Sequence, residues 1–281
     1  MSVPVKLKSR LRTIKSLNSI FAALQVITTA KIQTIRSIHG TSMRFLSQLE
    51  GAARHLDLLP NMNEKKSSKV LAILISSNRG LCGGFNQNLF YRVGSFIKEQ
   101  GAAGAEVDYV VFGKKGQQFL KSRNQQIKQV FAKEYVDPTV FFELAEDLLK
   151  RLLSGQISGV YVISNRYRSV MKQDALVHKL LPIEGPEVLD ESYFILEPQK
   201  EAVKSQLLLH IVAARLFHFY MDSQLGELSS RLFTLKGAIE NSKELIDRLV
   251  LDLNKVRQQS ITRDLLEIIS SSECLSKGRC N

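Results

Sequence analysis

The stretch LGELSSRLFTLKGAIENSKELIDRLVLDLNKVRQQS, residues 225–260, decides the fold of the C-terminal part of the chain. Its rungs recur at alternating steps of three and four residues, which is the spacing of a coiled-coil seam. The rungs are Leu225, Leu228, Leu232, Leu235, Ile239, Ser242, Ile246, Leu249, Leu253, Val256 and Ser260. Because no proline follows Pro198, the pattern predicts one helix from about Gln199 to Ser272, on the order of 110 Å long.

The N-terminal part repeats this pattern. Residues 5–59 contain no proline, and the same alternation predicts a helix roughly 80 Å long. Its apolar seam includes Leu11, Ile14, Phe21, Ile32 and Ile35, and its polar rungs are Asn18, Gln25, Thr28 and His39. Two such helices at opposite ends of one chain meet if the middle returns the chain, which predicts an antiparallel intramolecular coiled coil. The alternative is two coiled coils made with other copies of the protein.

The middle of the chain has a different pattern. Short apolar runs rich in β-branched residues predict strands at Lys69–Ser76, Val107–Phe112, Ile127–Phe131, Gly159–Ser164 and Ala175–Leu181. Helical stretches lie between several of them, at Gln87–Glu99, Lys114–Lys121 and Pro138–Leu153. Strands that alternate with helices predict a parallel-type sheet with helices on its faces. We therefore expect a helix at 1–60, a central α/β domain at 61–198, and a helix with a tail at 199–281.

Composition narrows the class of protein. With 281 residues, 44% of them hydrophobic, the chain can bury a sizeable core. The net charge of +12 favours acidic surfaces, membranes or nucleic acid as partners. No apolar run reaches the roughly 18 residues that a membrane span needs. The three cysteines Cys82, Cys274 and Cys280 do not form a disulfide framework, which indicates a reducing compartment.

The stretch SSNRGLCGGFNQN, Ser76–Asn88, follows the first predicted strand. Its glycines, Gly80, Gly83 and Gly84, have the spacing of neither a phosphate loop nor a dinucleotide fingerprint. We therefore predict no bound cofactor and interpret them as residues that allow a tight turn. Cys82 would need a nearby base to act as a nucleophile, and a structural thiol is the simpler interpretation. No cluster of residues has the spacing of a metal site.

The first helix carries a one-sided charge. From its start through Leu49 it has eight lysines and arginines and no acid: Lys6, Lys8, Arg10, Arg12, Lys15, Lys31, Arg36 and Arg44. A basic helix can follow nucleic-acid phosphates, can be a solvated face, or can be a cationic shaft inside an acidic protein collar. Composition does not choose among these three. An enzyme that uses Cys82 in redox or acyl-transfer chemistry is a further hypothesis.

Two motifs at opposite ends carry a resemblance to a known family. The segment SSNRGLCGGFNQNLF resembles the one after the first strand in the γ subunit of F-type ATP synthases, and Asn254–Thr262 resembles the C-terminal signature of that family. Phe112–Gly116 and Leu180–Ile183 are similar to central family segments, and Glu227, Arg231 and Lys236 stand at matching positions. The resemblance covers nearly the whole chain in the right order and is closest to a divergent bacterial type.

The resemblance implies a fold and a role. The fold is a long antiparallel coiled coil of the N- and C-terminal helices plus a central Rossmann-like α/β domain. The role is that of a non-catalytic rotor stalk that couples proton or sodium translocation to conformational changes in catalytic β subunits. The implied partners are the α and β subunits of the F1 hexamer, the ε subunit and the ring of c subunits. The implied location is the cytoplasmic face of the bacterial inner membrane, peripheral through the complex.

The resemblance also assigns contact residues. Arg79 matches an arginine implied to pair with an acidic lever segment of β, and Cys82 lies in the same turn. Arg257 and Gln258 match a pair implied to hold a β loop higher on the shaft. Four positions depart from the family: Ser19 and Ala22 replace usual lysines, and Arg263 and Asp264 replace a usual Gln-Glu pair. The nucleic-acid-binding alternative uses none of these residues.

Overall fold

The computed structural model describes residues 3–55, 67–133, 135–183 and 200–277. Its elements are α1 (Val3–His55), β1 (Lys69–Ile75), α2 (Phe85–Ala102), β2 (Glu106–Phe112), α3 (Lys114–Ser122), β3 (Gln126–Phe131), α4 (Thr139–Leu153), β4 (Gly159–Tyr167), β5 (Gln173–Leu181) and α5 (Lys200–Lys277). Every helix and strand predicted from the sequence is present within a few residues of its predicted bounds. The predicted domain boundaries at 60/61 and 198/199 lie outside the described residues.

The five strands form one sheet in the order β3-β2-β1-β4-β5. The pairs β1–β2, β1–β4 and β2–β3 are parallel, while β4–β5 is antiparallel. The predicted parallel-type sheet is therefore confirmed, with one antiparallel pair at its β5 edge. The physical reason for the antiparallel pair is the connection of residues 168–172, which is too short for the crossover that a parallel pair requires.

Helices cover both faces of the sheet. Alternate residues of the central strand β1 point to opposite faces, so each face has its own set of buried side chains. Ala72 and Leu74 pack against Leu89, Val93 and Phe96 of α2. The other face, which includes Leu71, Ile73 and Ile75, packs with buried residues of α4 and α5, among them Phe141, Leu148, Ile211 and Leu216. Burial on both faces explains why β1 is apolar nearly throughout instead of alternating with polar residues.

Contacts divide the chain into two compact units. The coil unit consists of Met1–Ile27 and Leu235–Asn281, and the α/β unit is Thr28–Thr234. In each unit the parts of α1 and α5 pair with each other. Because the pairs are antiparallel within one chain, the predicted intramolecular coiled coil is confirmed, and pairing with other copies is not needed to bury these seams.

In the coil unit the seam side chains are buried or half-buried: Leu11, Ile14, Phe21, Leu235, Ile239, Ile246, Leu249, Leu253 and Val256. One polar pair lies among them, in which the Ser242 hydroxyl donates to Asn18 Oδ1 at 2.7 Å. After Val256 every described side chain of α5 is exposed. The end of α5 therefore extends past the part of the helix that pairs with α1.

In the α/β unit the same two helices are joined by apolar and charged contacts. Ile32 forms a buried cluster with Leu225 and Leu228, and the half-buried seam residues Ile35 and Leu232 pack against it. Farther along, the Arg215 guanidinium donates to Glu50 Oε1 at 2.7 Å. That pair is only about a quarter exposed on either side chain, so solvent screens it less than a surface pair.

Glycine is required at one position beside β1. Gly113 has a φ of +98°, and a Cβ there would lie 2.2 Å from the carbonyl oxygen of Ser76. The space is occupied because Ser76 donates from its hydroxyl to the Phe112 carbonyl at 2.9 Å and accepts from the Gly116 N–H at 2.8 Å. The residue at 113 must therefore have both a left-handed backbone and no side chain.

Replacing Gly113 by alanine should destabilise the protein by about 3 kcal/mol or more, because the added methyl overlaps backbone atoms that cannot move aside cheaply. The free energy of unfolding in urea measures this loss. Gly94→Ala is the matched control, since Gly94 lies in α2 and a Cβ there meets nothing within 4 Å. The control should gain up to about 1 kcal/mol, and equal effects of the two changes would contradict the steric account.

A polar cluster lies between α1, α5 and the end of β4. Asp222 accepts at its Oδ1 from His39 Nε2, 3.2 Å away, and at its Oδ2 from the Tyr167 N–H at 3.2 Å. The rings of His39 and His218 lie 5.1 Å apart. Burial lowers the pKa of His218, and Asp222 opposes that shift without reversing it. Burial and Arg166 likewise lower the pKa of His178, again against an opposing effect of Asp222.

This cluster predicts acid sensitivity. Both histidines have a folded-state pKa below the ordinary 6.5, so the unfolded chain binds protons more readily than the folded one. Their contribution to stability is complete above that value and falls as the pH drops through it. Urea midpoints at about pH 7.5 and about pH 5.5 measure the change. The variant His178→Gln/His218→Gln should lose much less stability over the same interval, and an unchanged slope would contradict the assignment.

Candidate functional site at the glycine turn

The turn between β1 and α2, residues 76–84, lies where the sheet order reverses. The neighbours of β1 are β2 on one side and β4 on the other, so the chain leaves β1 at the edge where doubly wound sheets form a ligand crevice. In nucleotide-binding proteins, glycines here let free backbone amides approach phosphates. The hydrogen-bond partners of the backbone amides around this turn show how it differs from that arrangement.

Three backbone amides around the turn already have partners in the chain. At the start of α3, the Lys114 N–H donates to Asn78 Oδ1 at 3.2 Å, and the Lys115 N–H donates to the Ser77 carbonyl at 3.1 Å. The Ser77 N–H donates to Asn86 Oδ1 at 3.3 Å. Short polar side chains and a backbone carbonyl thus brace the turn from within.

The backbone conformations of the three glycines in the turn differ from the sequence-based prediction. Only Gly83 is left-handed, with a φ of +53°, while Gly80 and Gly84 are not. The second left-handed position is Leu81, with a φ of +60°. The prediction that all three glycines serve the turn geometry is therefore correct at one position, and a leucine that is 51% exposed takes the strained conformation that glycine would adopt freely.

Close contact with α5 explains the need for glycine at position 83. A Cβ on Gly83 would lie 2.9 Å from Thr234 Oγ1. Next to it, the Ser230 hydroxyl donates to the Cys82 carbonyl at 2.6 Å. The turn therefore rests directly on one face of α5.

An ion pair on that face of α5 also contacts the turn. Arg231 donates to Glu227 Oε1 from one guanidinium nitrogen. The same guanidinium lies 3.4 Å from the Gly80 carbonyl oxygen and 3.5 Å from that of Arg79. Sequence reasoning matched Glu227 and Arg231 to family positions but gave them no role and did not find Ser230. The available signal was the four-residue spacing of an acid and an arginine on one helix, which does not reveal what else the arginine contacts.

Cys82 is a buried structural thiol, as expected. Its side chain is 3% exposed, and Asn86 donates from its amide to the sulfur at 3.2 Å. Burial, and then the nearby carboxylate of Glu227, raise the pKa of the thiol. A nucleophilic cysteine needs the opposite shift. The prediction that Cys82 faces or flanks a contact with β stays a prediction, and its buried side chain leaves flanking as the arrangement that fits.

The other predicted contact residues lie at the surface. Arg79 is exposed on the turn, and its carbonyl accepts the Ser77 hydroxyl at 2.8 Å. Arg257 and Gln258 are exposed on α5, directly after the last seam residue. Within the described residues, no group of His, Cys, Asp and Glu has a metal-binding arrangement. Cys280 and the side chain of Cys274 lie outside the description. None of the described helices has an apolar stretch long enough to cross a lipid bilayer.

Comparison with known proteins identifies the family. The family model described as ATP synthase matches residues 5–275. The ATP synthase gamma chain of Geotalea daltonii is 32% identical, over 96% of this chain and 97% of its own length. That of Geobacter metallireducens is 31% identical over the same shares. The chain belongs to the ATP synthase gamma-chain family. The family supplies the rotor subunit of the central stalk, so the chain is non-catalytic. Nothing in these comparisons supports the nucleic-acid alternative.

Solved structures agree on the fold. A chain of the Euglena gracilis mitochondrial ATP synthase, in a structure of OSCP, F1 and c-ring, aligns with a TM-score of 0.70 at 18% identity, over 99% of this chain and 96% of that one. A chain of the Tetrahymena thermophila central stalk and c-ring aligns with a TM-score of 0.60 at 16% identity, over 78% of this chain and 99% of that one. The combination of a coiled coil with an α/β domain is therefore the architecture of this family.

The raised pKa of Cys82 predicts slow alkylation. In a chain with Cys274→Ser and Cys280→Ser, iodoacetamide at about pH 8 should modify Cys82 far more slowly than a free thiol, because both burial and the low thiolate fraction protect it. Mass spectrometry of the time course measures the rate. The same chain in denaturant is the control and should react at the rate of an ordinary cysteine. Rapid alkylation of the folded chain would contradict the assignment of Cys82 as a structural thiol.

Proposed function

We propose that this chain is the central rotor that couples ion-driven rotation of a membrane ring to changes of state in the catalytic β subunits of an F-type ATP synthase. The coupling ion is a proton or a sodium ion. Family membership over nearly the whole chain supports the proposal. Its proposed partners are the α and β subunits of the hexamer, the ε subunit and the ring of c subunits, and its proposed location is the cytoplasmic face of the bacterial inner membrane, peripheral through that complex.

Coupling needs a surface that distinguishes the states of β. A shaft shifts the equilibrium of its neighbour only if its contacts with the two states differ in free energy. An exposed arginine on a turn braced against a helix suits this requirement, because its guanidinium can bind a carboxylate with two parallel hydrogen bonds. Arg79 is the residue in that position, and its placement on the turn is the observation that carries the proposal.

The end of α5 gives the shaft a second surface. Beyond Val256 the helix carries Arg257 and Gln258, and then five apolar side chains that are each about half exposed or more: Ile261, Leu265, Leu266, Ile268 and Ile269. Apolar groups in such number on a single exposed helix end suit burial against surrounding protein. A collar of subunits around this end would cover them, with Arg257 and Gln258 holding a β loop at its lower rim.

The proposal is tested by assembling the complex in liposomes with wild-type chain, with Arg79→Ala, and without the chain. Rates of ATP synthesis and of ATP hydrolysis are measured for each, and their ratio reports coupling. Arg79→Ala should lower the ratio by about three- to tenfold, the effect of losing one charge-assisted hydrogen-bonded pair, while the folding of the chain is unchanged.

Arg151→Ala is the matched control for this experiment. Arg151 is an arginine that forms an ion pair within its own helix, with Asp147 four residues away, and it lies on α4 and not on the turn. It should leave the coupling ratio unchanged. Wild-type hydrolysis in the complex that lacks the chain would refute the rotor proposal, and an unchanged ratio in Arg79→Ala would remove Arg79 from the contact.

A further inference from the structure

Three side chains on one face of α5 hold the glycine turn: Glu227, Ser230 and Arg231. Their spacing of three and four residues places them side by side on the helix. The name α5 latch is used below for these three residues. Each contacts either the backbone of the turn or another member of the latch.

The ion pair of the latch is better shielded than most. The side chains of Arg231 and Glu227 are 15% and 8% exposed. Screening by solvent is weaker at such burial than at the surface. Glu227 accepts from Nη2 of Arg231, which fixes the guanidinium, and the same Nη2 lies 3.5 Å from the Arg79 carbonyl oxygen. Nε and Nη2 each lie 3.4 Å from the Gly80 carbonyl oxygen, so these contacts need no further loss of side-chain freedom. The carbonyl of Arg79 thus belongs to the contact.

The hydroxyl of Ser230 makes the shortest contact between α5 and the turn. At 2.6 Å from the Cys82 carbonyl oxygen, it is at the short end of the range for an O–H donor. The Gly83 Cα lies beside it with no room for a side chain against Thr234. Together these contacts fix the backbone on both sides of Leu81.

Leu81 gives the reason why the turn needs to be held. A non-glycine residue with a φ of +60° has a strained backbone, because its Cβ comes too close to the following carbonyl oxygen. Such a conformation persists only where the surroundings hold it. Contacts with the latch at residues 79, 80 and 82 flank Leu81 on both sides, so the latch opposes relaxation of the turn toward an unstrained backbone.

We propose that the α5 latch positions Arg79 and carries mechanical load from the turn directly into α5. This inference rests on the proposed function, in which Arg79 meets a moving neighbour. Along the backbone, the turn is attached only to β1 and α2. The latch adds a direct attachment to the long helix, so a force on Arg79 passes to α5 without first deforming the sheet. Arg231 and Ser230 act here as positioning residues.

The test uses the assembled complex in liposomes and the same coupling ratio. Arg231→Ala and Ser230→Ala should each lower the ratio at least about threefold, since the turn then relaxes in part. Arg231→Lys should be intermediate, because one ammonium group cannot reach Glu227 and both carbonyls with the geometry of a guanidinium. Arg151→Ala again serves as the control and should leave the ratio unchanged.

The double variant Arg79→Ala/Arg231→Ala separates positioning from an independent contact. If Arg231 acts through Arg79, the double variant should be no worse than Arg79→Ala alone. Full addition of the two effects would overturn the latch, since Arg231 would then act by itself. Normal coupling in both Arg231→Ala and Ser230→Ala, with a loss in Arg79→Ala, would overturn the latch and leave the proposed function intact. Normal coupling in Arg79→Ala would overturn the latch and remove Arg79 from the contact, while the rotor proposal itself is decided by the complex that lacks the chain.

The alkylation rate of Cys82 in the full-length chain gives an independent reading of the latch. With Cys274→Ser and Cys280→Ser in the background, Ser230→Ala and Arg231→Ala should each raise the rate at least about threefold, because a relaxed turn exposes the thiol. Arg151→Ala should not change it. An unchanged rate in both latch variants would show that α5 does not hold the turn, and would overturn the proposal whatever the coupling ratio.

Discussion

The pairing of two helices from opposite ends of one chain is the constraint on which the rest of this structure depends. Neither α1 nor α5 can bury its seam alone, and most of the stability of a helix in a protein comes from the packing of its apolar face and not from helix propensity. The middle of the chain has to bring them together, and it does so by folding into an α/β layer that packs on α5. Within the α/β unit, α5 thus packs Ile211 and Leu216 with the sheet residues and its seam residues Leu225 and Leu228 with Ile32 of α1.

The packing of α5 on the α/β layer also explains the structure of the glycine turn. In a doubly wound sheet the carboxyl end of β1 is open, and a ligand can enter there. In this chain Ser76, Ser77, Asn78 and Asn86 form hydrogen bonds that brace this end of β1 against α3 and the turn. The face of α5 then covers the turn through Ser230 and Arg231. A fold that binds nucleotides in other proteins here holds an exposed arginine on a turn that is braced against α5. This agrees with a subunit that transmits changes of state and performs no chemistry.

The sequence was sufficient for the elements and for the class of fold, because period and length are local properties. The ladder through residues 225–260 and the apolar run of β1 each predict their structure without knowledge of the partner. The turn was harder, since its geometry depends on residues about 150 positions away. The left-handed backbone of Leu81, the burial of Cys82 and the role of Arg231 all follow from contact with α5. No local pattern could have assigned them. The three glycines within residues 80–84 indicated three left-handed positions, and only one of the three, Gly83, has a left-handed backbone.

The polar rungs of α1 have a consequence for the dimensions of the molecule. Asn18 and Ser242 meet at 2.7 Å between apolar rungs of the seam, and a polar pair of this kind specifies register at some cost in stability. If α1 slipped by one heptad along α5, Asn18 would face an aliphatic residue and leave its amide without a partner. The free end of α5 would also change in length by about 10 Å. A single hydrogen bond therefore fixes the register of α1 against α5, and with it the length of α5 that extends beyond the paired region.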